Sequence, residues 1–152
     1  MRISDDEQTY KDLDWYCVDD EGRVGHFTSA GFKRIPLSVA ESADDLKFLN
    51  EFFSQLAPVT AGHEVDEHLT ADKRTVRYLQ SFVAMANRGL YSFDIESYLH
   101  SQISYFRVAK PKTPLLFMSL PERVRQVLGR TVLTGFSLEL SSAIPYSATL
   151  SI

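Results

Sequence analysis

Residues 15–28 read WYCVDDEGRVGHFT, and this stretch predicts a β-hairpin. Its opening residues are rich in aromatic and β-branched side chains, a composition that favours a strand. Residues 20–22 supply the turn, because Gly22 can adopt the left-handed conformation that closes a hairpin loop with a bulge. Residues 23–28 then return as a second strand. An antiparallel pair of strands is therefore expected near the start of the fold.

Two helices are predicted after the hairpin. Ser42 and Asp45 have the hydroxyl-to-acid spacing of a capping box, although Asp replaces the usual Glu. Apolar residues then recur at helical spacing as far as Leu56. A second amphipathic helix is predicted to begin near Thr70, a good N-cap residue, and to end at the glycine cap Gly89.

The second half of the chain is predicted to be rich in strands. Alternating or β-prone segments occupy residues 91–95, 102–109 and 132–141, and residues 148–152 could add a terminal strand. One short helix interrupts them near residues 119–129. This order of elements favours an α+β fold over a doubly wound one, with a largely antiparallel sheet and about three helices packed on one face.

The domain boundaries follow from the polarity of the first residues. Residues 1–14 are polar and acidic, and they predict a flexible arm or a frayed start. Residues 15–152 are predicted to form a single α+β domain, at a length where a chain buries roughly 70% of its surface on folding. The whole chain is 44% apolar and 24% charged, as ordinary globular proteins are.

The sequence disfavours both membrane insertion and secretion. No apolar run approaches the ~20 residues that span a bilayer. The first residues, MRISDDEQ, lack the apolar core of a signal peptide. The single cysteine, Cys17, excludes an internal disulfide. A cytoplasmic location with no membrane partner is therefore predicted.

The histidine loop, residues 63–68, is the segment that most resembles a metal site. It reads HEVDEH, one residue longer than the zinc-protease pattern HExxH. Its two histidines would stand about 140° apart around a helix, so they could not share an ion there. We therefore expect a solvated acidic loop and no metal or cofactor, with a weak divalent-cation site as the alternative.

The sequence contains none of the common catalytic or nucleotide-binding motifs sought in it. Neither GxGxxG nor GxxxxGK[ST] occurs, and GxSxG is also missing. Cys17 would need a histidine or a cation beside it to act as a nucleophile, and a buried structural role is expected instead. The sequence therefore predicts a non-enzymatic protein, with a metal-dependent hydrolase using the histidine loop as the weakest alternative.

The acidic residues concentrate in the first half of the chain. Residues 1–70 hold fifteen acidic side chains against six basic ones, whereas residues 71–152 hold five against ten. The two halves could fold together and mix their charges, or the acids could form a face for a basic partner. The second interpretation assigns partner binding to the hairpin turn and the histidine loop, through Asp19, Asp20, Glu21, Glu64, Asp66 and Glu67.

A second hypothesis is a small-ligand-binding or regulatory domain. The back half carries enough aromatic side chains to line a pocket, although core packing would also explain them. The pocket candidates are Tyr91, Phe93, Tyr98, Tyr105 and Phe106. Basic residues near these aromatics could hold a nucleic acid, but an isoelectric point of about 5.5 disfavours that partner.

Residues 15–31 also carry a resemblance. They fit the pattern W-[FY]-x-V-D-x-x-G-x-[IV]-x-x-F-x-[ST]-x-G. This pattern resembles the opening hairpin of many small bacterial proteins, some of which look like immunity proteins of polymorphic-toxin systems. The resemblance implies a bacterial interaction protein that binds and neutralises a toxin domain and catalyses nothing. It covers 17 of the 152 residues, and no functional residue carries over from it.

Overall fold

The computed structural model describes residues 1–31, 34–59, 61–96 and 103–152. Within them the chain forms seven strands and six α-helices. The strands are β1 (Asp14–Asp19), β2 (Val24–Thr28), β3 (His63–Val65), β4 (Tyr91–Glu96), β5 (Ser104–Pro111), β6 (Val132–Leu133) and β7 (Ala143–Pro145). The helices are α1 (Asp5–Tyr10), α2 (Leu37–Ala40), α3 (Ala43–Gln55), α4 (Val76–Asn87), α5 (Glu122–Leu128) and α6 (Tyr146–Leu150).

The strands form one mixed sheet in the order β3-β5-β4-β2-β1-β6, with β7 paired to β5. β2 runs parallel to β4, and β1 runs parallel to β6. The α+β class is confirmed, but the prediction of a largely antiparallel sheet is wrong. The physical reason is the long connection between β2 and β4, which carries α3 and α4 and brings the chain back in the same direction.

The predicted hairpin and the first long helix are present. β1 and β2 pair antiparallel from Asp14 opposite Thr28 to Val18 opposite Val24. Gly22 adopts a φ of +80° in the turn. The Ser42 hydroxyl caps α3 by accepting a hydrogen bond of 3.1 Å from the Asp45 amide. These elements depend on neighbouring residues, so the local pattern suffices to predict them.

The second long helix begins later than predicted. Residues Ala71–Lys73 form a single 3-10 turn, and Thr75 caps α4 by accepting a hydrogen bond from the Tyr78 amide. The prediction of about three helices is also wrong, because the described residues form six α-helices. The segment predicted as a terminal strand forms α6 instead.

The helices also pack on both faces of the sheet, not on one as predicted. Alternation along β1 directs Trp15 to one face and Tyr16 to the other. The ring of Tyr16 lies 4.6 Å from that of Phe53 in α3. On the opposite face, Tyr105 lies near Trp15 and its ring is 6.3 Å from that of Tyr146 in α6.

The first residues are docked, which differs from the flexible arm that the sequence predicts. The capping box of α1 is complete, because the Ser4 hydroxyl and the Glu7 carboxylate each accept a hydrogen bond from the other residue's amide. Ile3 lies in the main core. The buried Gln8 side chain donates to the Ile3 carbonyl and accepts from the Ile35 amide. One apolar anchor, Ile3, and the satisfied amide of Gln8 therefore hold the segment against the core.

Four aromatic side chains form the centre of the core on the face opposite α3. The ring of Phe27 lies 4.4 Å from Trp15, 4.7 Å from Phe93 and 5.0 Å from Tyr105. These rings come from β2, β1, β4 and β5, and all four side chains are fully buried.

Among the helices that the structure describes, none combines the length and the apolar character needed to cross a membrane.

Replacing Phe27 with leucine should destabilise the protein strongly. The variant loses three ring contacts worth about 0.5–1.5 kcal/mol each, as well as packing volume. We expect the free energy of unfolding to fall by about 2–4 kcal/mol, measured by denaturant unfolding. Phe52→Leu is the control, because the half-buried Phe52 has one ring neighbour and should cost less than about 1.5 kcal/mol. Equal losses would contradict the central role of Phe27.

Candidate functional site

Asp19, the first acid of the predicted binding turn, is a buried structural residue. Its side chain is 1% exposed. One carboxylate oxygen accepts hydrogen bonds from the amides of Glu21 (3.0 Å) and Arg23 (2.9 Å). The other accepts from the Leu138 amide at 3.0 Å. Asp19 therefore shapes the turn and holds a distant loop, and its carboxylate cannot face a partner.

Asp66 plays the same part in the histidine loop. Its side chain is 2% exposed, and its oxygens accept from the His68 amide at 2.9 Å and from Arg107 Nε at 3.0 Å. Burial alone would raise the pKa of Asp66. The His68 amide and the Arg107 guanidinium outweigh burial, so that the pKa lies below its ordinary value.

The remaining predicted partner residues are exposed but lie on separate parts of the surface. Asp20 and Glu21 follow β1, whereas Glu64 and Glu67 belong to β3 and the loop after it. β2, β4 and β5 lie between β1 and β3, which separates the two strands by about 19 Å at ~4.8 Å per step. The hairpin turn and the histidine loop therefore do not form one continuous acidic face.

The acidic and basic halves of the chain mix on folding. Asp45 lies 2.7 Å from Arg130 and 3.3 Å from Arg123. The buried pair of Asp66 and Arg107 also joins the two halves. The sequence leaves two interpretations open, mixed charges or a separate acidic face. For much of the surface the structure supports mixing of the acidic and basic side chains. An acidic partner site must therefore be local.

The predicted aromatic pocket does not form from its described members. Tyr91, Phe93 and Tyr105 are fully buried in the main core. Phe106 belongs to a smaller cluster on the other face and borders a recess of about 250 Å³. Tyr98 lies outside the described residues.

The histidine loop gives no ligand set for a metal. His63 Nδ1 lies 2.8 Å from Asn87 Oδ1, while His68 Nδ1 lies 3.1 Å from Asp66 Oδ1, so the two rings engage different partners. Within the described ranges, no group of three His, Cys, Asp or Glu side chains could hold an ion. Burial raises the pKa of the Cys17 thiol, and the nearby Asp19 charge raises it further, which keeps the thiol neutral and inert.

An open cleft of about 810 Å³ lies where the start of β1 and the ends of β2 and β4 meet α3 and α4. Its lining combines carboxylates, small polar groups and an apolar floor. The lining residues are Asp12, Leu13, Asp14, Tyr16, Thr28, Ala30, Asn50, Glu51, Ser54, Ser81, Phe82, Met85 and Asp94. We refer to this feature as the acidic cleft.

The acidic cleft carries four carboxylates, and its described lining contains no lysine or arginine. Asp94 is held rigidly, because its oxygens accept from the hydroxyls of Thr28 and Tyr78, each at 2.6 Å. Asp12 accepts a hydrogen bond of 2.9 Å from the Ala30 amide. Asp14 and Glu51 contribute carboxylates from β1 and α3. The acids therefore come from several elements that the core fixes in place.

The electrostatics of the acidic cleft favour a positively charged occupant. Burial raises the pKa of Asp12, and the nearby carboxylates of Asp14 and Asp94 raise it further against the hydrogen bond from Ala30. These carboxylates therefore repel one another when all are ionised. A cation placed among them would relieve that repulsion.

A buried histidine lies against the lining of the acidic cleft. His26 is 1% exposed, and its Nδ1 lies 2.7 Å from the Ser92 hydroxyl. Its ring packs 5.6 Å from that of Tyr16 and 6.2 Å from that of Phe82. Its Nε2 makes no hydrogen bond with any described residue and faces Asp14 Oδ2 at 3.6 Å. The polar nitrogen is therefore aimed at a carboxylate of the cleft.

Sequence reasoning missed the acidic cleft. Because residues 1–14 are predicted to be a flexible arm, the sequence does not suggest Asp12 or Asp14 as site residues. The available signal is an acid inside a predicted strand, because Asp94 occupies a polar position of the alternating residues 91–95. Glu51 carries no such signal, since an exposed acid on a helix is common.

No protein-family model matches this chain, and no curated protein or solved structure is detectably similar to it. The geometry of the described residues is therefore the basis for any functional proposal.

Asp19→Ala should destabilise the fold, although the sequence alone would class Asp19 as a surface acid. The change leaves three amides without their acceptor, one of them the buried amide of Leu138, and removes a charge from beside Arg23. We expect a loss of about 3–5 kcal/mol in the free energy of unfolding, measured by denaturant titration. Glu21→Ala is the control and should change the stability by less than about 1 kcal/mol. Similar small effects of both changes would contradict the structural role of Asp19.

The ion pair between Asp66 and Arg107 should make part of the stability of the protein depend on pH. Its folded-state pKa lies below the unfolded value of about 3.9. The pair with Arg107 therefore stabilises the fold above that pH, and this contribution is lost as the pH falls through the folded pKa. We expect Asp66→Asn to be less stable than the natural protein at pH 7 and to lose less stability between about pH 5 and pH 2.5, by thermal unfolding. Parallel pH profiles of the two proteins would contradict this assignment.

Proposed function

We propose that this protein binds another protein and that the acidic cleft receives a basic side chain of that partner. The observation that carries the proposal is the set of four carboxylates in a cleft whose described lining holds no lysine or arginine. Acidic residues on protein surfaces normally alternate with basic ones, as Asp45, Arg123 and Arg130 do elsewhere in this protein. In the cleft only Glu51 pairs with a described lysine, Lys47 at 3.8 Å, so four carboxylates face one cation and favour a basic partner.

Two physical effects would act on association. The summed field of the carboxylates would steer a basic surface toward the cleft and raise the association rate. Once the cleft is filled, water is excluded, and the charge pairs gain strength in the lower dielectric. The rigid hydrogen bonds on Asp94 and Asp12 reduce the cost of ordering these side chains on binding.

The partner class that we propose is a basic toxin domain, in the bacterial cytoplasm. Support comes from the hairpin of residues 15–31, which resembles the opening hairpin of proteins that look like immunity proteins. The same hairpin supplies Tyr16, Thr28 and Ala30 to the acidic cleft. Neutralisation would then follow from binding alone.

A small cationic ligand is the second candidate. The volume of about 810 Å³ falls within the range of roughly 300–1,000 Å³ that is usual for small-molecule sites. A thermal-shift screen with polyamines and other cationic metabolites would test it, because a bound ligand raises the melting temperature by mass action.

The double variant Asp14→Asn with Glu51→Gln tests the main proposal. Immobilised protein is exposed to a lysate of its source organism, and the retained proteins are identified by mass spectrometry. We expect a partner whose recovery falls by about tenfold or more in the variant, because two attractive charges are lost. Raising the salt from about 0.1 M to about 1 M should weaken recovery in the same way.

The matched control is Asp6→Asn with Glu41→Gln. Both side chains are exposed, and neither forms an ion pair with a described residue, so the same charge is removed away from the cleft. The control should retain the partner. If the cleft variant folds normally and recovers the same proteins in the same amounts as the control, the proposal is wrong.

A further inference from the structure

We infer that the basic group taken by the acidic cleft is the guanidinium of an arginine, supplied by the partner protein. This inference rests on the proposed function and names the chemistry of the bound group. Three observations lead to it: the spread of the free carboxylate oxygens, the apolar floor between them and the buried histidine beneath Asp14.

The free acceptors of the acidic cleft approach from different sides. Asp94 is largely satisfied by Thr28 and Tyr78, and one Asp12 oxygen is bonded to the Ala30 amide. The other Asp12 oxygen and the carboxylates of Asp14 and Glu51 accept no hydrogen bond from a described residue, although Glu51 Oε1 lies 3.8 Å from Lys47 Nζ. They come from the start of β1 and from α3. A guanidinium presents five N–H donors in a plane and can engage carboxylates on two sides, whereas an ammonium is a compact point charge.

The floor of the acidic cleft suits the rest of an arginine side chain. Leu13 and Met85 are half-buried and offer apolar surface beside the acids, whereas Phe82 is 6% exposed and the ring of Tyr16 is buried, with its hydroxyl donating to Asn50. Long basic side chains bury their methylene stems on such surface while the charged head reaches polar groups. Guanidinium is also less strongly hydrated than ammonium, so an apolar floor favours arginine over lysine.

His26 adds a second, independent indication of a ligand in the cleft. Its Nε2 is buried, makes no hydrogen bond with a described residue and faces Asp14 Oδ2 at 3.6 Å. That distance is too long for a hydrogen bond, so Asp14 keeps its acceptor capacity for a donor from the cleft. A guanidinium on the open side of Asp14 would use that capacity without displacing the histidine.

The test compares two blocked tripeptides, acetyl-Gly-Arg-Gly-amide and acetyl-Gly-Lys-Gly-amide. Binding is followed by the NMR shifts of the backbone amides of Asn50 and Ser81, which lie in the lining. We expect the arginine tripeptide to bind about tenfold more tightly, because a bidentate pair adds a charge-assisted hydrogen bond. The variant Asp14→Asn with Glu51→Gln should lose about tenfold or more of that affinity, while Asp6→Asn with Glu41→Gln should retain it. Circular dichroism confirms that both variants are folded.

Each contrary outcome overturns a defined statement. Equal or tighter binding of the lysine tripeptide, or shifts confined to other surfaces, overturns the arginine assignment. Agmatine, a free guanidinium compound, distinguishes the source of the group. If agmatine saturates the cleft at about tenfold lower concentration than the arginine tripeptide, the ligand is a small molecule and the partner arginine is excluded.

If no tripeptide binds but the lysate partner still depends on Asp14 and Glu51, this inference falls and the proposed function stands. If neither experiment depends on these residues, both fall.

Discussion

Phe27 and the three rings around it hold four strands in register. Trp15, Phe93 and Tyr105 each place a ring within about 5 Å of Phe27, and each comes from a different strand. The packing leaves no space for a side chain at the adjacent Gly25, where an added Cβ would lie 2.8 Å from the Phe27 ring. Rings buried this tightly resist slippage, because a shift of one residue would turn every ring to the other face.

The same register places the acidic cleft. Side chains alternate along a strand, so fixing Trp15 and Phe27 on one face fixes Tyr16, His26 and Thr28 on the other. Parallel pairing of β2 with β4 sets Thr28 near Asp94, and their hydrogen bond of 2.6 Å holds the carboxylate at the cleft. The aromatic core and the polar site are thus two faces of one arrangement. A change that loosens the core should also disorder the acids.

Two of the acidic residues that looked most available for a partner have structural roles. Asp19 and Asp66 each open a turn by accepting backbone N–H groups, a role that short acidic side chains often fill. Asp19 also reaches the Leu138 amide, and Asp20 reaches the Gly135 amide. These side chains satisfy backbone groups that a strand would have used, so much of the segment predicted as a strand over residues 132–141 is a loop. Asp12 and Asp14 in the cleft differ because each retains an oxygen that accepts no hydrogen bond from a described residue.

The sequence by itself determined the elements that depend on near neighbours. These include the hairpin with Gly22 in its turn, the cap of Ser42 on α3 and the glycine end of α4 at Gly89, which has a φ of +97°. Backbone preferences and caps act within a few residues, so a local pattern is enough to predict them.

Only the tertiary structure decided the mixed sheet order, the placement of helices on both faces and the acidic cleft. Asp12, Asp14, Glu51 and Asp94 are spread over more than half of the chain, and no local rule brings them together. Their meeting depends on which strands pair and in which direction, and that choice is made by the burial of apolar side chains far apart in the sequence.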